Sequence, residues 1–223
     1  SDVCSSDLTT PLAPPSGTLS TRCHRIGDTP DTLGHMRDPG VDLCLWRRPH
    51  HRAIADELSV LDARALPDKR HATSAESFDK DVVKIMTAQQ LDPTRFEHLR
   101  ADLHVLCDLF SRVSQGPITR FRLMTTAKND CTRFHVDRMN LRLMCSYQGP
   151  GTEWLADDQV DRSAQISGAR NAGMIRYGEP ARFGRFWVGV IRGDPTNVGT
   201  GLVHRSPEIA GTGQIRVLFC LDS

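Results

Sequence analysis

At Gly116 and Pro117 the hydrophobic pattern of the chain changes period, and that switch constrains the fold more than any other feature. Before it, Asp92 and Pro93 supply an N-cap and a first-turn proline. Phe96, Leu99, Leu103, Leu106, Leu109 and Phe110 then recur at helical spacing as far as Val113. Ile54, Leu58 and Leu61 mark a shorter helix, and residues 41–46 alternate as a strand that Pro49 ends. After the switch come short apolar-rich runs at 118–126, 134–137, 141–147, 172–177, 186–191, 201–204 and 215–221. Turn chemistry separates them, at 128–130, 148–151, 192–195 and 211–213, whereas 156–172 is polar and unpatterned. Many short strands at this spacing predict a sandwich or barrel rather than a sheet of alternating strands and helices. The expected class is α+β: a helical annex over 41–116 against a C-terminal double-sheet jelly roll over 117–223, together one compact unit. Residues 9–40 read as a poorly ordered lead-in, and residues 1–8, without an initiator Met, as a cloning or sequencing scar.

Composition removes several function classes. Apolar residues make up 39% and charged residues 25% of 223, which suits a globular chain. Lys and Arg number 28 against 27 for Asp and Glu, so no charge excess recommends a nucleic-acid partner or a membrane surface. No apolar run is long enough for a membrane helix. The seven cysteines are scattered and form no C-x-x-C pair, which argues against a disulfide framework or thiolate zinc knuckle and for reduced thiols in a cytoplasmic setting. Arginines between Arg176 and Arg192 read as a solvated strand edge, or as a docking surface for an anionic partner. His98 and His104 do not share a helix face and read as solvated or capping groups.

The residues that carry chemistry are His135 and Asp137, two apart, and the distant His204. Two imidazoles and a carboxylate grip a divalent transition metal from one side and leave other positions open, as in non-heme Fe(II) oxygenases. On an extended segment, positions i and i+2 face the same way, so His135 and Asp137 can reach one ion. The bland alternative is a structural pair in which the carboxylate orients the imidazole. Cys131 and Cys145 read as buried small hydrophobes rather than ligands. Ser206, beside His204, lacks the surroundings of a hydrolase nucleophile.

Downstream, an apolar strand at 141–147 leads through Gly149, Pro150 and Gly151 into Thr152, Glu153, Trp154 and Leu155, and Arg216 heads the last strand. This order resembles the 2-oxoglutarate/Fe(II) dioxygenases, which are built on a double-stranded β-helix of the jelly-roll or cupin-like kind. The resemblance implies His135, Asp137 and His204 as ligands of Fe(II), and Arg216 as the partner of the far carboxylate of 2-oxoglutarate. It also implies Trp154 and Trp187 on the substrate side, with core packing as the alternative. Val217 and Leu218 follow Arg216 where that superfamily usually has a hydroxyl residue two positions on, and Arg142 offers a second anion grip. A salt bridge from Arg216 to Glu153 is the structural alternative.

At closer range, F-H-V-D at 134–137, C-S-Y-Q-G-P-G-T-E-W at 145–154 and V-H-R-S-P at 203–207 resemble the domain of unknown function 1826 family. Genes of that family often neighbour zinc metallochaperone GTPases, which implies a non-catalytic zinc protein in metal homeostasis as the alternative to an oxygenase. The substrate, a small molecule or a protein, is left open by both resemblances.

Overall fold

The computed structural model describes residues 22–114 and 116–223. In chain order the strands are β1 Cys23–Gly27, β2 Val41–Trp46, β3 His71–Ala72, β4 Arg120–Thr126, β5 Leu141–Gln148, β6 Glu153–Trp154, β7 Ala181–Arg182, β8 Val188–Arg192, β9 His204–Arg205 and β10 Arg216–Asp222. The helices are α1 Arg52–Leu58, α2 Phe78–Ala88, α3 Glu97–Ser114, α4 Arg162–Ser167 and α5 Asn171–Met174. A large sheet runs in the order β1-β2-β8-β5-β10-β4-β3, and a small sheet in the order β7-β6-β9. All neighbours in the large sheet are antiparallel except β1 and β2.

The central strands β5 and β10 are buried at nearly every position, and mostly apolar, because both faces of the large sheet are covered. On one face Leu143, Cys145, Tyr147, Val217, Phe219 and Leu221 share a core with Leu99, Leu103, Leu106 and Phe110 of α3. On the other, Met144, Leu218 and Cys220 meet Trp154, Phe183 and Leu202 of the small-sheet layer. The helical layer is fastened by a partly buried polar clamp as well. Arg48 donates to both Asp102 oxygens at 2.5 and 2.7 Å, its Nε donates to the Phe186 carbonyl at 2.6 Å, and the Tyr147 hydroxyl donates to Asp102 at 2.5 Å. No helix among the described residues is long and apolar enough to cross a membrane.

Several expectations need correction. The lead-in before residue 22 lies outside the described residues, but 22–40 is ordered: β1 pairs with β2, and a 3₁₀ helix at Pro30–Arg37 buries Leu33 and Met36. Tertiary pairing overrides the Thr- and Gly-rich composition there. β2 is an interior strand of the large sheet, so the sheet is not confined to 117–223. The strand expected at 172–177 is α5 followed by a single bridge between Val160 and Ile175. The polar stretch at 156–172 contains α4, capped by the Asp161 side chain and ended by Gly168 in the left-handed region. α2 was not anticipated, although Phe78, Val82, Ile85 and Met86 form a buried helical stripe.

Candidate metal centre

His135 and His204 exchange backbone hydrogen bonds, each N–H donating to the other's carbonyl at 3.0 Å, which extends the small sheet by one residue pair. That pairing sets the two rings side by side, with centroids 4.6 Å apart. Asp137, two residues on, points at both: its Oδ2 lies 3.3 Å from His204 Nε2 and its Oδ1 lies 3.7 Å from His135 Nε2. One ligand atom from each residue lies within 4.8 Å of the other two. Ligands about 2.1 Å from a shared ion sit roughly 3–4 Å from one another, so the arrangement accepts a first-row metal with small adjustments.

The outer nitrogens set the tautomers. His135 Nδ1 faces the Arg133 carbonyl at 2.8 Å, and His204 Nδ1 faces the Leu202 carbonyl at 3.1 Å. Each Nδ1 therefore carries the proton and donates it to a carbonyl two residues back, leaving the Nε2 lone pair aimed at Asp137. Burial and the neighbouring His204 hold His135 below the usual imidazole range. Burial alone would raise the Asp137 carboxyl, but His204 and the Arg142 guanidinium outweigh it and hold the group well below the ordinary carboxylate range. At neutral pH Asp137 is therefore ionised and His135 neutral, as metal ligation by these two groups requires.

The two arginines singled out from sequence play different parts. Arg142 is committed: its Nη1 donates to Asp137 at 2.6 Å, and its Nε and Nη2 donate to Asp222 at 2.6 and 3.1 Å. Arg216 is 1% exposed and has no carboxylate partner among the described residues. It meets only hydroxyls: Nη1 donates to Ser206 at 3.3 Å, and Nη2 donates to Ser146 at 3.3 Å and Thr152 at 3.0 Å. Its Nε is buried without any acceptor. Burial pushes the guanidinium down to about 10, so it stays charged at neutral pH. Glu153, the alternative partner, is taken by Arg182 and by Arg205, whose Nε donates to it at 2.7 Å.

Arg216 and the three metal-ligand candidates line one cavity of about 100 Å³. The hydroxyls around Arg216 were missed from sequence because they come from three separate segments. Thr152 lies within the quoted G-P-G-T-E-W run, and Ser146 shares the inward face of β5 with Arg142 and Met144. Cys145 is buried as expected, but Cys131 is exposed, with its Sγ 3.5 Å from His135 Nδ1 at the cavity wall. Trp154 packs between the sheets, with Trp187 half-buried against the same cluster.

Residues 27–222 match the family described as protein of unknown function (DUF1826). No curated protein matches the sequence. Among solved structures, dioxygenase for auxin oxidation 1 from Arabidopsis thaliana, in a binary complex with 2-oxoglutarate, is similar with a TM-score of 0.51 at 10% identity. The match covers 90% of this chain and 91% of that one. The dioxygenase for auxin oxidation from rice gives a TM-score of 0.49 at 14% identity, over 90% and 82% of the two chains. The Arabidopsis likeness shows a shared fold, a large sheet with helices around it.

Proposed function

The chain belongs to the DUF1826 family, and we propose that it is an Fe(II)- and 2-oxoglutarate-using oxygenase, or a close relative of one, on a double-stranded β-helix. In this reading the large and small sheets are the two walls of the β-helix, and His135, Asp137 and His204 form the metal-binding triad between them. The observation that carries it is Arg216: a buried guanidinium with no carboxylate partner among the described residues, in the same cavity as the triad. An unpaired buried charge is costly, and a fold that keeps one has a use for it. A guanidinium fork ringed by Ser146, Thr152 and Ser206 accepts a carboxylate in a planar, bidentate way.

The residues divide the work accordingly. Asp137 and the two Nε2 atoms would hold one face of the ion, and Arg142 keeps Asp137 in place by occupying one side of Oδ2. Arg216 would take the far carboxylate of 2-oxoglutarate, and the hydroxyls around it would accept or redirect protons of the fork. Met144 and Leu218 form an apolar wall of the cavity and exclude water from its inner end. Fe(II) with 2-oxoglutarate supplies the activation of O₂ for oxidising a bound substrate. The same three ligands suit zinc by donor type, but a zinc-handling site leaves Arg216 without a role.

Anaerobic addition of Fe(II) and 2-oxoglutarate tests the proposal. Expected is a weak visible charge-transfer absorption in the wild type that disappears in Arg216→Met. Metal-loaded wild type with no such absorption and no 2-oxoglutarate binding overturns the reading.

A further inference from the structure

We propose that the substrate of this site is an organic oxyanion, gripped at the cavity mouth by Arg70. The inference rests on the cavity being an Fe(II)/2-oxoglutarate site. Four guanidiniums line the cavity: Arg70, Arg122, Arg142 and Arg216. Two of them are doubly committed to carboxylates. Arg142 is shared by Asp137 and Asp222, and Arg122 by Asp68 at 2.5 Å and Asp130 at 2.9 Å. Arg216 lies deep and is matched by the cofactor's far carboxylate. Arg70 is left: exposed, next to the edge strand β3, with no salt-bridge partner among the described residues.

Size points the same way. A cavity of about 100 Å³ holds little beyond a small dicarboxylate, so a substrate must approach from outside. A second groove, of about 480 Å³, is lined by Ala63, Leu66, Pro67 and Ala127, by the cations Arg64 and Lys128, and by Asp68. Asp68 lines that groove and its partner Arg122 lines the metal cavity, so the ion pair joins the two linings. The groove offers an apolar floor for a carbon skeleton, and Arg70, on the wall of the metal cavity two residues from Asp68, is left for an anionic head. The class implied is an amphipathic organic acid, a carboxylate or phosphonate on a modest apolar body.

The test uses full-length protein loaded anaerobically with Fe(II) and saturating 2-oxoglutarate, so that Arg216 is already engaged. Hexanoate, benzoate and phenylphosphonate are compared with their methyl esters, reading perturbation of the visible absorption and, in air, stimulated release of CO₂ from 2-oxoglutarate. At least one acid is expected to respond where its ester does not. Arg70→Glu should weaken that response roughly ten- to hundredfold, the range for losing a charged hydrogen bond, and Arg70→Lys should restore part of it. Silence from all three acids, esters equal to acids, or an unchanged Arg70→Glu response each overturns the inference while leaving the 2-oxoglutarate site standing. Absence of the absorption in metal-loaded wild type overturns both.

Discussion

His135 and His204 differ from solvated histidines in that each has one ring nitrogen committed to a backbone carbonyl and the other aimed at Asp137. Removing either ring takes away a ligand, and for the buried His204 some packing as well, so folded His135→Ala and His204→Ala protein should lose stoichiometric metal by elemental analysis. Variants that both keep full metal would show the ligands to be elsewhere. Arg216 makes the opposite kind of prediction. Its charge is buried with no carboxylate in contact among the described residues, so Arg216→Met should abolish 2-oxoglutarate binding yet raise stability, by about 1–4 kcal/mol. A melting temperature that rises as the cofactor signal vanishes would mark a residue kept for function rather than for folding.

At the scale of elements, the loop between β8 and β9 delivers His204 to the site. Asp194 organises it by accepting N–H groups from Val198 at 3.1 Å, Gly199 at 2.8 Å and Thr200 at 3.0 Å. Burial would raise this carboxyl, but those donors outweigh it and hold it below its ordinary value. A carboxylate depressed in the folded state contributes stability that is present above the ordinary carboxylate range. That stability is lost as pH falls through the folded value, from about pH 4 downward. Asp194→Ala should therefore cost about 1–3 kcal/mol at neutral pH, and thermal melts of the variant should depend less on acid than those of the wild type. Gly201 closes the same loop at φ +83°, where a Cβ would come within 2.8 Å of the Gly193 carbonyl. Gly201→Ala should weaken metal binding without touching a ligand.

Over the whole molecule, the helical layer and the large sheet are one mechanical unit because Asp102 of α3 joins Arg48, beyond β2, to Tyr147 of β5. Asp102→Ala leaves the partly buried Arg48 charge without its carboxylate, and a loss of up to about 3–5 kcal/mol in urea unfolding is expected. Unfolding unchanged from wild type would show that apolar contacts alone hold the layers together. The layers also explain why the site is rigid. β5 and β10 carry Arg142 and Arg216 inward on one face while their other face is locked against α3.

Much was legible in the residues themselves. The apolar stripe of α3, the apolar-rich runs of β5 and β10, and the His135–Asp137 pair are local patterns stated by side-chain chemistry at short spacing, whereas His204 joins the pair from 67 positions away and was picked out by its residue type. Elements whose identity depends on distant partners were not legible. β1 is a strand because β2 lies beside it, α5 is a helix despite apolar residues that suit a strand, and 22–40 is ordered by burial that its composition does not announce. The division between Arg142 and Arg216 belongs to the same class. Both are arginines on inward strand positions, and nothing along the chain separates a guanidinium held between Asp137 and Asp222 from one facing only hydroxyls. Residue types set which chemistry was available; three-dimensional proximity of carboxylates, which sequence separation does not encode, decided which of the two cations has no carboxylate partner among the described residues.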